Sequence, residues 1–270
     1  MKFSVLMSVY AKENPQFFDR ALRSVTLDQT RKPDQVVLML DGKLTQELYG
    51  VVQKYKVLLA EIFEPIQLEK NMGLSKALEV GVEYCKFDLI ARMDSDDISA
   101  PQRFEKQVLF LEQNQQIDIV GSFISEFEDD ESMIYSTRVL PTNPQELSKF
   151  ARKRCPLNHV TVVMKKQMLL KAGNYEEFKG IEDYFLWGKM IKAGAQLANI
   201  DDFLVNVRAG RAMMQRRGGF DYAMMEFRLQ KKFLHIGFIN FFEFIRNVCI
   251  RFPIRMVPKS ARSFIYRVFR

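Results

Sequence analysis

Over its first hundred residues the chain alternates short apolar runs with amphipathic stretches, and this alternation limits the fold more than any other feature. Phe3–Tyr10, Gln35–Leu40, Ile62–Leu68 and Leu89–Met93 read as strands, with Pro15–Leu27, Thr45–Tyr55 and Leu74–Cys85 as helices between them. Repeated strand–helix–strand units pair their strands in parallel and place helices on both faces. The expected class is α/β, with a Rossmann-like, mainly parallel sheet. Ligands of such sheets bind beyond the carboxyl ends of the strands.

All four strand ends are polar: Ser8-Val9-Tyr10, Asp41-Gly42, Lys70-Asn71-Met72-Gly73 and Asp94-Ser95-Asp96-Asp97. A parallel sheet gathers them along one rim. Gly42 and Gly73 either let the backbone approach a ligand or simply permit turns. The acidic run also has two readings. Three carboxylates within four residues can hold a divalent cation against a phosphate-bearing ligand, or they can end a strand and cap a helix beginning near Pro101.

After Asp97 the pattern changes to a helix over Gln102–Asn114, strands over Ile117–Phe127 and Met133–Leu140, a helix over Pro144–Ala151 and a last core strand at Leu204–Val207. We expect an acceptor-shaped lobe on the same core, with two halves at 1–100 and 101–210 and a helical C-terminal region at 211–270. Arg217-Gly218-Gly219 is the nearest thing to a hinge.

The chain's 270 residues, 47% hydrophobic and 27% charged, suffice for one sizeable core and exclude a disordered or repeat protein. Cys85, Cys155 and Cys249 are odd in number and lack metal-ligand spacing, which points to a reducing compartment and away from a disulfide framework or zinc site. The N-terminal apolar run is too short for a signal peptide, and no stretch of eighteen apolar residues occurs. The expected location is cytoplasmic or peripheral.

The net charge of +7 is divided unevenly: residues 208–270 hold fourteen Lys/Arg and three Asp/Glu, or +11, leaving −4 for residues 1–207. An anionic partner for the tail follows, either a membrane surface or a nucleic acid.

In order and spacing, Ser8-Val9-Tyr10, Asp41, Asn71-Met72-Gly73-Leu74-Ser75-Lys76-Ala77, Arg92-Met93-Asp94-Ser95-Asp96-Asp97 and Glu182-Asp183-Tyr184 before Leu186-Trp187 resemble the family 2 glycosyltransferases of GT-A fold, from Ser4 to about Gly219. The resemblance implies a nucleotide-sugar donor whose diphosphate is neutralised by a carboxylate-held Mn²⁺ or Mg²⁺. It assigns Asp94 to the nucleotide ribose and Asp96 to the metal, with Asp97 close to donor sugar or metal. Asp41 looks like the uracil-contacting carboxylate, with Tyr10 beside the ring and Ser8 and Asn71 completing the donor set. Many relatives carry two acidic residues where this chain has Leu40-Asp41-Gly42-Lys43.

Arg92 either touches the diphosphate or forms a structural ion pair with Asp94 or Asp96. Asp183 is the candidate base that takes the acceptor hydroxyl's proton in an inverting transfer, while Glu182-Asp183 also fits an acidic first helical turn. His159 completes the metal shell, contacts donor phosphate, or is a structural histidine. Arg208, Arg211, Arg216 and Arg217 resemble an arginine-rich loop that closes over phosphates, or form a solvated basic turn.

In the tail, Ile236–Phe252 reads as a helix with a narrow polar stripe at Asn240, Glu243, Asn247 and Arg251, interrupted at Pro253. Lys259, Arg262, Arg267 and Arg270 then accompany Phe264, Ile265, Val268 and Phe269 in a second amphipathic segment. Aromatic, basic helices fit an anionic headgroup layer, here the inner face of the cell membrane, or else pack on the core or a second subunit. No nucleic-acid recognition motif accompanies them. The combined reading is a metal-dependent, inverting transfer of a hexose from a UDP-sugar to a saccharide on a polyprenyl diphosphate, similar to O-antigen and exopolysaccharide β-1,3-glucosyl- or galactosyltransferases. The rivals are a catalytically silent nucleotide-binding or membrane scaffold and a sugar nucleotidyltransferase. The latter's Gly-rich loop after strand one is absent, with Ser8-Val9-Tyr10-Ala11-Lys12 in its place.

Overall fold

Four strands make the parallel half of the sheet: β1 (Phe3–Val9), β2 (Gln35–Leu40), β3 (Phe63–Gln67) and β4 (Leu89–Arg92), in the order β3-β2-β1-β4. The computed structural model describes residues 1–178, 180–209 and 218–257. All six residues of β2 are buried, as a strand with neighbours on both edges and helices on both faces requires. Side chains alternate between two cores. Phe3, Val5, Met7 and Val9 face one, with Phe18, Ala21 and Leu22 of α1 (Pro15–Val25). Leu6 faces the other, with Ala77, Leu78 and Val82 of α3 (Leu74–Tyr84).

The helices of this half start where their local chemistry allows. Asn14 accepts from the N–H groups of Gln16 and Phe17 ahead of α1, with Pro15 at its first position. Thr45 accepts from Leu48 N–H ahead of α2 (Gln46–Leu59).

Beyond β4 the sheet turns mixed. β5 (Ile98–Ser99) is followed by α4 (Arg103–Gln113), β6 (Ile119–Phe127), β7 (Ser136–Arg138), α5 (Pro144–Ala151), β8 (Val163–Lys165), α6 (Lys166–Lys171), α7 (Glu182–Lys192) and β9 (Leu197–Arg208). β8 runs antiparallel to both β4 and β6, β9 pairs parallel to β6, and β5 pairs antiparallel to the far end of β9. The strand expected over Met133–Leu140 shrinks to β7, because Met133, Ile134 and Tyr135 are exposed and have no core to enter. The strand expected at Leu204–Val207 extends back to Leu197, because β6 offers a long parallel edge.

In the C-terminal region an unexpected helix, α8 (Phe220–His235), comes first. The helix expected over 236–252 is present but shifted, as α9 (Phe241–Met256), and is capped by a reciprocal Asn240–Glu243 box. Leu229 and Phe233 of α8 join Ala151, Ile181, Tyr184 and Phe185 in a third apolar cluster. Gly188 of α7 makes room for this, since a Cβ there would lie 2.4 Å from the Phe233 ring. Pro253 does not stop α9. Its last turn is tethered from outside, with Gly219 N–H donating to Arg255 O at 3.0 Å and the Arg255 guanidinium on Glu226 at 2.6 Å. Among the described residues no helix is long and apolar enough to cross a membrane. Arg211, Arg216, Arg217 and the second amphipathic segment lie outside the described residues.

Candidate functional site

The expected rim forms at the carboxyl ends of β1, β2 and β4. Asp41, the first residue past β2, is buried and donates its N–H to Val9 O at 2.8 Å. Its Oδ1 accepts from Met72 N–H at 2.7 Å and its Oδ2 from Gly73 N–H at 3.0 Å, so one carboxylate holds the turn that opens α3. Each oxygen keeps a further lone pair for a ligand. Asn71 closes the same turn, with Nδ2 donating to Asp41 O at 3.3 Å. The approach is possible because Gly42 has φ +83° and no Cβ, which would stand 2.6 Å from Asn71 N. Beside this turn Ser8 is half-buried at the end of β1, and Tyr10 and Asn71 are exposed.

The acidic run does not cap a helix. It leads into β5, and α4 begins only at Arg103, with Gln102 as an N-cap that makes no side-chain bond. Two strands therefore pin the turn at its ends. Asp97 is 2% exposed and its Oδ1 accepts from Arg208 N–H at 2.8 Å, which ties the turn to β9. Burial, reinforced by Asp94 and Asp96, pushes its carboxyl far above the ordinary range. Asp96 is pushed up to about 7 by burial, then by the charges of Asp94 and Glu13. Glu13, in the loop after β1, accepts from Ser95 Oγ at 2.6 Å.

Arg92 ends β4 at 2% exposure and pairs through Nη2 with Asp94 Oδ1. Burial opposes its charge, yet Asp94, Tyr175 and Asp97 hold the guanidinium above its ordinary value. Its Nε and Nη1 are buried and have no hydrogen-bond partner among the described residues. Behind it stands a second buried arginine, Arg103, with Nη2 donating to Arg92 O at 2.7 Å and Nε to Gln107 Oε1 at 3.0 Å. Burial and the nearby Arg92 charge lower Arg103 to about 9. Arg208 is committed within the protein: Nε donates to Asp96 O at 3.3 Å, Nη1 to Glu128 O and Asp129 O, and the plane lies 3.7 Å from the Phe17 ring centre.

A third group lies where α7 begins. Glu182 and Asp183 occupy its first turn, and Asp183 Oδ2 accepts weakly from Cys155 Sγ at 3.6 Å. The Glu182 carboxyl is raised by burial and then by Asp183, and its Oε2 is buried with no hydrogen-bond partner among the described residues. His159 Nε2 is 2.9 Å from the Tyr175 hydroxyl, and its ring meets Trp187 edge-on at 5.8 Å. Burial, then Arg92, pushes His159 well below its ordinary value. Among the described residues no three His, Cys, Asp or Glu side chains stand close enough to hold a metal, so His159 and Asp96 do not share such a cluster. Arg92, paired to Asp94, also acts electrostatically on His159, Tyr175 and Glu182.

Glu13, Arg103, Tyr175 and Trp187 were not among the expected site residues. Arg103 and Glu13 look like ordinary surface charges in a helix and a loop; only their burial or their partners mark them out. Tyr175 and Trp187 carry the signal of any core aromatic.

The description of glycosyl transferase family 2 matches residues 4–178. An uncharacterised glycosyltransferase of Haemophilus influenzae is 41% identical over 269 residues, covering 100% of this chain and 99% of its own length. The UDP-Gal:α-D-GlcNAc-diphosphoundecaprenol β-1,3-galactosyltransferase of Escherichia coli is 36% identical, covering 98% of this chain and 95% of its own length. The amylovoran biosynthesis glycosyltransferase AmsE of Erwinia amylovora is also 36% identical, over 98% and 97%. Among solved structures, Staphylococcus aureus TarS 1-349 with UDP-GlcNAc superposes with a TM-score of 0.68 at 19% identity, over 94% of this chain and 72% of its own. The mannosyltransferase PcManGT of Pyrobaculum calidifontis, with GDP-Man and Mn²⁺, gives 0.68 at 12%, over 100% and 76%. The polar rim is thus carried on a GT-A sheet, and the chain belongs to glycosyl transferase family 2 as a glycosyltransferase.

Proposed function

We propose that this glycosyltransferase moves galactose from UDP-galactose, with inversion, to a GlcNAc unit carried on a polyprenyl diphosphate, in the assembly of a bacterial surface polysaccharide. The sugar and acceptor rest on the Escherichia coli relative. The observation that carries the reading is Arg92, a buried cation paired with Asp94 of the acidic turn, whose Nε and Nη1 have no hydrogen-bond partner among the described residues. Buried guanidinium N–H groups left unpaired are costly, and a donor diphosphate or its sugar would satisfy them.

The acidic turn fits a hard divalent cation. Carboxylates that raise one another's proton affinity carry charge that Mn²⁺ or Mg²⁺ would neutralise. Asp96 would hold it. When bound, such a cation withdraws charge from the diphosphate as the sugar–phosphate bond breaks.

The chain's own residues do the rest. Asp41 fixes the Asn71–Gly73 turn and accepts from the uracil edge, with Ser8 and Tyr10 alongside, while Asp94 receives the ribose hydroxyls. Asp183 takes the proton from the attacking acceptor hydroxyl at its carboxylate. Glu182, its carboxyl raised by burial and by Asp183, shares the first turn with that base. We assign His159 and Arg208 to positioning: His159 orients Tyr175 and Trp187, and Arg208 locks the acidic turn to β9. Residues 1–100 form the donor half, 101–210 the acceptor half, and 211–270 the membrane-facing region.

Two variants test this by separating donor hydrolysis from transfer to a GlcNAc-diphospholipid. Asp96→Ala should lower both, and full activity would remove the metal role. Asp183→Asn should lower transfer by about 10²–10⁴-fold with UDP affinity retained, and unchanged transfer would remove the base.

A further inference from the structure

Helix α9 is turned inside out relative to an ordinary surface helix. Glu243, Asn247, Arg251 and Arg255 recur every four residues and so share one face, and that face points into the protein. Glu243 Oε2 takes Arg152 Nη1 at 3.0 Å. Asn247, 4% exposed, donates to Arg152 O at 2.8 Å and to Gln230 Oε1 at 2.8 Å. Arg251 reaches Glu226 Oε1 at 3.0 Å and Lys153 O at 2.7 Å, and Arg255 shares that Glu226 oxygen at 2.6 Å. The opposite face carries Phe241, Phe242, Ile245, Cys249 and Met256, all exposed, Phe242 at 82%. Water does not stabilise such an arrangement, because it leaves a continuous apolar stripe outward while polar groups fill the inner seam.

We propose that this outward stripe inserts into the headgroup layer of an anionic lipid bilayer, with the polar inner seam holding the helix at a set angle to the catalytic rim. Charge names the occupant. Residues 258–270, beyond α9, contain four Lys/Arg and no Asp/Glu, and residues 208–270 carry +11 against −4 for the rest. An apolar stripe continuous in sequence with a basic segment matches an anionic surface better than a second copy of an equally basic region. The proposal rests on the lipid-linked acceptor of the reading above, and adds which face of the chain meets the lipid and through which side chains.

The test uses the full chain and vesicles of equal parts phosphatidylglycerol and phosphatidylcholine. Wild type should sediment with them, and Phe242→Ser/Ile245→Ser should lose affinity by at least about tenfold, since two apolar side chains no longer leave water. Both positions are exposed, so the variant should fold and keep donor hydrolysis. A bimane label on Cys249, the exposed cysteine, should shift to the blue with vesicles and be quenched freely without them. Undiminished sedimentation of the variant would overturn the proposal. So would a wild-type dimer that the variant dissolves without any change in vesicle binding, or a Cys249 label already shielded in the absence of lipid. Donor hydrolysis is scored separately: its absence from wild type would remove the transferase chemistry, not the lipid contact.

Discussion

Glu182 shows at the scale of one residue how burial and a neighbour set chemistry. Its carboxyl is raised by burial and by Asp183, so the folded state favours the protonated form. Its contribution to stability is therefore complete below the ordinary carboxylate pKa and is lost as pH rises through the raised value. Glu182→Gln stays neutral throughout, so its melting temperature should exceed wild type at about pH 8 and match it at about pH 4. A difference that is the same at both pH values would contradict this linkage. Residues of this kind are only partly legible beforehand. Asp41, Asp94, Asp96 and Asp183 stand out as carboxylates at strand or helix ends, but Arg103 does not, because its helix looks amphipathic with a charge at its solvent end. Its complete burial follows from the Arg92 carbonyl that needs a donor.

At the scale of elements, β1 through α3 match their expected limits to within two residues, because period and caps are local properties, except that α2 runs on to Leu59 rather than ending at Tyr55. The acidic turn was ambiguous between cap and ligand site. Only the two-residue β5, which exists because β9 offers it an edge, separates the turn from α4. Pro253 misled for the converse reason: its cost is local, while the Glu226 cluster that restrains the turn after it lies on α8. Glu226→Ala leaves two guanidinium groups without their shared carboxylate, a change worth about 3 kcal/mol or more for a buried pair. Amide exchange should accelerate across Phe241–Met256 with β1–β4 unchanged. A uniform rise over the sheet would contradict a separately anchored helix.

For the whole molecule, alternation predicts the parallel half of the sheet, while the mixed half depends on pairings between residues far apart, such as Ile119 with Leu197. That second half brings His159, Tyr175 and Glu182 within electrostatic range of Arg92, which pairs with Asp94. Asp183 as a base acting opposite the leaving UDP, as proposed, requires inversion at the sugar carbon. The most direct measurement is the anomeric configuration, by proton NMR, of the disaccharide formed from UDP-galactose and a GlcNAc-diphospholipid with Mn²⁺. The account predicts a β-linked galactose; an α-linked product would contradict it.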